Sequence, residues 1–289
     1  MKIIHAEKHH FPVLEKFIKP HEEKCVFLAS NVRQKSDKIW VITEDLKDMF
    51  NQLSTKNIAG VLYIDNSVFH CIPEPEKLDK EKMQPLLGAV FAKHKIKCIN
   101  GEKSGTEFLT ELIKADIGEP YQINHYNLMT CQSVNLPSEA LYNDDIIIRC
   151  TENDIDNLYD LQKGYLTEEV VPHCKPHCKK VTDTEVRIIL RKLLKTQFCL
   201  ALISDGTAVA KANTNAIGWN CIQIGGVYTS PLFRRNGYAA KLIAKICQRA
   251  AKVGKKSVLF VRDINVSAFK LYKTLNFQES GFYEIAYFN

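Results

Sequence analysis

The chain has 289 residues, 45% of them apolar and 25% charged, with a net charge of +6. This is an ordinary globular composition, sufficient for one large core or two modest ones, and it excludes a disordered or fibrous protein. No apolar run approaches the length of a membrane span, and the opening MKIIHAEKHH lacks the apolar core of a secretory signal.

Charge is unevenly divided. Residues 1–145 carry 18 basic and 21 acidic side chains, whereas residues 146–289 carry 21 and 12. A basic half suits a ligand with several phosphates or a nucleic acid. Nucleic acid is disfavoured because Lys241, Lys245, Arg249 and Lys252 share one helix face without interleaved aromatics, which reads as a solvated face. Of the ten cysteines, Cys98, Cys131, Cys150, Cys199, Cys221 and Cys247 fall in apolar segments, where a free thiol behaves as a small hydrophobe. Their spacing makes no disulfide framework, and a reducing cytoplasm is the expected compartment.

In chain order, Phe11, Leu14, Phe17 and Ile18 predict a short amphipathic helix ended by Pro20. Runs 58–64 and 67–72 predict a hairpin turning at Asp65 and Asn66. A helix over 80–93, a strand over 96–99, a helix over 105–113 and a strand over 121–129 follow. Residues 136–145, with Pro137, Ser138, Asn143, Asp144 and Asp145, interrupt the apolar pattern and place a domain boundary near 140. The fold class is therefore mixed α/β in two domains, 1–140 and 141–289.

The second half opens with a strand over 146–150 and a helix over 151–165 showing Leu158, Leu161 and Tyr165 on one face. Thr182 or Asp183 caps a second helix carrying Val186, Ile189, Leu190, Leu193 and Leu194 inward. Runs 198–204 and 208–214 flank a turn at Asp205 and Gly206, and a strand over 221–229 contains Gly225 and Gly226, a signature of a bulge or of tight packing. A helix from Asn236 stops at Gly254, with Leu242, Ile243, Ile246 and Cys247 facing in. A strand over 257–261, a helix after Asn265 and a strand over 282–288 complete the chain.

The joint between the 221–229 strand and the next helix is the most informative stretch. Pro231 stops the strand, and Arg234, Arg235, Asn236, Gly237, Tyr238 and Ala239 lead into the helix. Backbone amides at a helix N-terminus, backed by its dipole, cradle a phosphate. Gly237 and Ala239 permit close approach, Asn236 tolerates a left-handed φ, and the arginines add charge-assisted bonds.

At this point the chain resembles the GNAT superfamily of acyl-CoA N-acyltransferases, whose loop reads Q/R-x-x-G-x-G/A after a strand. Arg234, Gly237 and Ala239 match it, while Arg235 stands where the family often has glycine. A second block, NVSAFKLYKTLNF at 265–277, resembles the family's N-x-x-A-x-x-L-Y-x-x-x-x-F helix. The resemblance implies a GNAT fold in the second half and acetyl-CoA as acyl donor. It implies that Val227 and Thr229 bond the pantetheine arm along a splayed strand, that Asn265 hydrogen-bonds the cofactor, and that Ala268 lets it pass. The Val227 N–H would polarise the thioester carbonyl, and the Tyr272 hydroxyl would protonate the departing sulfur.

The first half shows a similar succession of elements, as a diverged copy or as an unrelated α/β domain. Where a phosphate loop belongs it reads Pro73, Glu74, Pro75, Glu76, so one cofactor site is expected per chain, the first domain being structural or acceptor-binding. Gln223 occupies the position at which some family members carry a basic glutamate, so the proton acceptor is expected from Glu169 or Glu168, or from a water chain. His173, Cys174, His177 and Cys178 crowd too closely for one tetrahedral ion, and no metal is expected there. The expected function is acetyl-CoA-dependent N-acetylation of a primary amine by direct attack in a ternary complex. The rival reading is a catalytically silent acetyl-CoA sensor.

Overall fold

A computed structural model of the chain describes residues 1–44, 53–134, 146–170 and 181–289. These divide into two compact units. Unit 1 comprises Met1–Leu128 with Gly218–Asn220 and Gly281–Asn289, and unit 2 comprises Met129–Ile217 with Cys221–Ser280. The 136–145 stretch read as a boundary lies outside the described residues.

In chain order the first ten elements are β1 (Lys2–His5), α1 (Phe11–Ile18), α2 (Val26–Arg33), β2 (Ile39–Thr43), β3 (Ile58–Ile64), β4 (Ser67–Cys71), α3 (Lys80–Phe91), β5 (Cys98–Glu102), α4 (Lys103–Ile117) and β6 (Gln122–Cys131). The next ten are β7 (Ile146–Arg149), α5 (Ile155–Tyr165), α6 (Asp183–Thr196), β8 (Cys199–Ser204), β9 (Thr207–Ile217), β10 (Cys221–Thr229), α7 (Tyr238–Lys252), β11 (Lys256–Arg262), α8 (Val266–Thr274) and β12 (Gln278–Tyr287). The two series have the same order of strands and helices. Pairing repeats as well: β1 to β4 are successively antiparallel and β4 is parallel to β5, just as β7 to β10 are antiparallel and β10 is parallel to β11. The first half thus repeats the element order and strand pairing of the second.

Each unit has a core on both faces of its strands. In unit 1, Leu14, Ile18 and Leu28 of α1 and α2 pack on one face, and Met83, Leu87 and Leu109 of α3 and α4 on the other. In unit 2, Leu158, Val186 and Leu190 of α5 and α6 play the first role, while Leu242, Ile243 and Ile246 of α7 play the second. The final segment from Gly281 belongs to unit 1, where β12 pairs antiparallel with β5 from Tyr283↔Glu102 to Tyr287↔Cys98.

Most predicted elements of unit 2 fall within two residues of their places, and Thr182 is the residue that caps α6, in a capping box with Glu185. Two predicted orientations are corrected. Ile189 is 39% exposed, because Val186 and Leu190 already fill the buried stripe of α6. Lys241 is 8% exposed and not part of a solvated face, its ammonium lying 5.9 Å from the Tyr238 ring centroid. In unit 1, β1, α2 and β2 escaped the pattern, and the strand expected over 96–99 runs instead from Cys98 to Glu102.

Gly101 lies against a buried histidine: a Cβ there would sit 1.9 Å from His70 Nε2. His70 on β4 is 2% exposed, shares a 2.9 Å hydrogen bond between Nε2 and Thr106 Oγ1, and has no partner at Nδ1 among the described residues. Burial lowers its pKa from 6.5 to about 3, so the ring is neutral in the folded protein. Between those two values the unfolded chain binds more protons than the folded one, and stability therefore falls on acidification through that window. Urea unfolding followed from pH 7 to pH 4.5 is expected to lose up to about 1.4 kcal/mol per pH unit from this group below its unfolded pKa. His70→Gln should flatten that slope, and an unchanged slope would remove His70 as its source.

Candidate active site

The site in unit 2 begins with a break in strand pairing. β10 pairs with β11 only from Cys221↔Lys256 to Ile224↔Leu259, whereas its pairing with β9 resumes beyond a bulge and reaches Thr229↔Ala210. The register on β9 shifts between Gly225 and Tyr228. Gly226 has φ +56°, and a Cβ there would lie 2.0 Å from Asn213 Oδ1; one on Gly225 would lie 2.1 Å from Asn215 Nδ2. Both positions therefore require glycine, and the bulge and the close packing are one feature.

The bulge aims two amides. Ser230 N–H donates to Val209 O across 2.9 Å. Amides alternate sides along a strand, so Thr229 directs its own away from β9, and Val227 does so because the Gly226 carbonyl of the same trans peptide accepts from Lys211 of β9; both face the side where registered pairing with β11 has ended.

Beyond the strand, a 3₁₀ turn at Pro231–Phe233 brings the chain to α7. Arg235 has φ +67° and Gly237 φ +76°, and α7 starts at Tyr238 without any side-chain cap on its first amides. The left-handed residue is thus Arg235 and not Asn236, whose Nδ2 donates to Phe233 O instead at 3.2 Å. The physical reason is positional: the turn needs a left-handed residue where the resembling loops carry glycine. A Cβ on Gly237 would meet nothing within 4 Å, so the backbone there is open to a ligand. Ala239 packs against the unit 2 core and keeps the first turn of α7 close to the sheet.

The matching joint in unit 1 is of opposite character. The Asp79 carboxylate caps α3 by accepting from Lys82 N–H, and Glu81 adds charge to the same turn.

Arg234 is tied down. Its Nε donates to Thr229 O at 3.1 Å, its Nη2 to Glu168 Oε2 at 2.5 Å, and its guanidinium lies 5.4 Å from the Tyr228 ring centroid. Glu168 also accepts from the Tyr228 hydroxyl at 2.5 Å. Burial works to raise the Glu168 pKa, but the bonds from Tyr228 and Arg234 prevail and hold it below the usual carboxylate range. Tyr228 is pushed the other way, to about 12, by burial and then by the bond to Glu168. Glu168 is therefore a strut and a poor proton acceptor.

Glu169 is placed differently. Both glutamates lie in a π-helical turn, Leu166–Val170, that extends α5. The Tyr272 hydroxyl is pushed above its ordinary range by burial first, then by Tyr165 and Glu169, so the fold brings Tyr272 and Glu169 into one neighbourhood. Tyr272 is 8% exposed and its ring stands 5.8 Å from that of Phe277. Asn265 caps α8, its Oδ1 accepting from Ala268 N–H at 3.1 Å and from Ser267 Oγ at 3.2 Å. Gln223 is half-buried on β10, two residues before the bulge.

Sequence reasoning missed Lys211 and Asn213. On β9 they alternate with alanines, a pattern that ordinarily marks a wet face, yet both are 1% exposed, and they line the back of the bulge. The His173 to Cys178 cluster lies outside the described residues; among those that are described, no group of three or more His, Cys, Asp or Glu is arranged to hold a metal. No described helix is long and apolar enough to cross a membrane.

Comparison with known proteins agrees with this geometry. Residues 156–277 match the model of the Acetyltransferase (GNAT) family. No match is found among curated proteins. Among solved structures, a Drosophila protein is 13% identical, covering 99% of this chain and 98% of its own with a TM-score of 0.63. A functionally unknown conserved protein from Staphylococcus epidermidis is 12% identical over 86% of this chain and 95% of its own, with a TM-score of 0.53. A GCN5-related N-acetyltransferase from Kribbella flavida is 14% identical over 79% of this chain and 86% of its own, with a TM-score of 0.52. At these identities the structures testify to the fold. The family match makes residues 156–277 a GNAT acetyltransferase domain.

Proposed function

We propose that the protein is an acetyl-CoA-dependent N-acetyltransferase that acetylates a primary amine by direct attack. The observation that carries this reading is the unpaired backbone of β10 beside the uncapped N-terminus of α7. One presents amides to an amide-containing arm in the manner of an added strand; the other presents amides and a dipole to phosphates.

In this reading Arg235, Asn236, Gly237, Tyr238 and Ala239 form the pyrophosphate cradle, and Arg234 braces it through Glu168. Val227 and Thr229 hold the pantetheine arm, with Asn265 and Ala268 on α8 bordering it. Bound acetyl-CoA supplies an acyl group activated as a thioester. The Val227 N–H stabilises negative charge on the reacting carbonyl oxygen, and the Tyr272 hydroxyl, kept protonated by burial, supplies a proton to sulfur. Glu169 is the side chain proposed to receive the amine proton, since Glu168 is engaged elsewhere.

Thiol release from acetyl-CoA, measured across amines, amino acids and peptides with binding titrated on the same sample, tests the reading. Stimulation by one amine class is expected; binding without stimulation by any of them would favour the sensor, and no binding would end the proposal. Tyr272→Phe should lower turnover by about tenfold or more while changing acetyl-CoA affinity less than threefold. Gly237→Val, which forces a β-branched residue to φ +76°, should weaken acetyl-CoA binding by at least about tenfold. Calorimetric titration reads that loss directly.

A further inference from the structure

We propose that Lys211 is a positioning residue that polarises the Gly226–Val227 peptide and thereby strengthens the Val227 N–H as a donor to the thioester carbonyl. The inference rests on the functional reading above and adds to it a residue outside the binding surface.

Lys211 Nζ donates to Gly226 O at 2.9 Å and to Asn213 Oδ1 at 3.2 Å. The Gly226 carbonyl and the Val227 N–H belong to one trans peptide, so they point in opposite directions. One end is therefore held by Lys211 inside unit 2 while the other faces the unpaired side of β10. A cation on the carbonyl oxygen draws electron density through the amide and makes its N–H a stronger donor, a cooperative effect enlarged where water is excluded. A regular strand would give that carbonyl a neutral ladder bond. The bulge at Gly225 and Gly226 replaces it with an ammonium, and a Cβ on Gly226 would come within 3.0 Å of Nζ.

The surroundings are unusual for a lysine. At 1% exposure it has no carboxylate partner among the described residues. Its ammonium lies 5.1 Å from the Tyr165 ring centroid of α5. Cys199 of β8 and Cys150 after β7 neighbour it as free thiols, and Tyr228, its register partner on β10, turns its hydroxyl to Glu168. Burial lowers the Lys211 pKa from 10.5 to about 8, only partly opposed by the two cysteines. The ammonium is thus present at neutral pH and lost on mild alkalinisation, so the polarisation should fade above pH 8.

The first test needs no ligand. With Gly226 labelled at its carbonyl carbon and Val227 at nitrogen, both chemical shifts should titrate with a midpoint near 8, in step with Lys211 Nζ. This step should be absent in Lys211→Met. Shifts indifferent to pH across that range would overturn the inference, as would the same titration in Lys211→Met.

The second test uses acetyl-CoA labelled at the thioester carbonyl. Its infrared stretch on binding should fall further below the solution value in the native protein than in Lys211→Met, with affinities within about twofold. Turnover in the variant should drop by about tenfold, as for a weakened oxyanion donor. Equal carbonyl shifts would sink the role of Lys211. Failure of the native protein to bind acetyl-CoA would sink the functional reading, leaving the ligand-free titration to decide on the peptide alone. Should Lys211→Met not fold, Lys211→Arg keeps the charge past pH 8, and its carbonyl shift should lose the alkaline fade.

Discussion

The arrangement of the site depends on one constraint: β10 cannot pair on both sides along its whole length. Gly225 and Gly226 admit Asn215 and Asn213 so closely that any side chain would collide, and the chain turns through a left-handed residue there. Once the strand is bulged, its pairing with β11 stops and the Val227 and Thr229 amides are released. Buried amides without partners are costly, so a fold that leaves them beside an open helix end is stable only where solvent or a ligand supplies acceptors. On its inner side the Gly226 carbonyl accepts from Lys211, which is itself held by Asn213, and Asn213 donates on to Asn215.

The internal repeat sharpens this view. Both units use the same succession of elements, yet only unit 2 leaves its central joint open. In unit 1 the first amides of α3 are met by Asp79, with Glu81 nearby, so the end that would attract an anion already holds a carboxylate. Corresponding helices thus carry opposite electrostatic instructions from a few residues. The two units share a layout of elements and differ in the charge placed at this joint.

Legibility in the sequence followed burial asymmetry. Elements with one wet face, such as α6 and α7, announced themselves by their apolar stripes, and the hairpin at Asp205 and Gly206 by its turn chemistry. α2 did not, because Val26, Leu28, Ala29, Ser30 and Val32 are all buried and its N-cap is a cysteine without a side-chain bond. The phosphate loop and the second motif were readable as resemblance. Lys211 was not, since an alternating Lys and Asn pattern on a strand ordinarily marks solvent, and only the packing of α5 across that face makes it interior.

The two adjacent glutamates of the π-helical turn illustrate how local geometry assigns different chemistry to like side chains. A turn of this kind widens the helix and changes the direction of successive residues. Glu168 is delivered to Tyr228 and Arg234, where two donors lower its basicity and fix the residue that precedes the left-handed Arg235. Glu169 is delivered toward Tyr272, where its charge makes the hydroxyl harder to ionise. Under the proposed reading a Tyr272 held protonated is available as a donor to the sulfur, but a raised phenol pKa makes the transfer harder and not easier. Under the same reading, neutralising Glu169 as it takes the amine proton removes one of the charges that raise the Tyr272 pKa, and so offsets part of that cost as the sulfur departs.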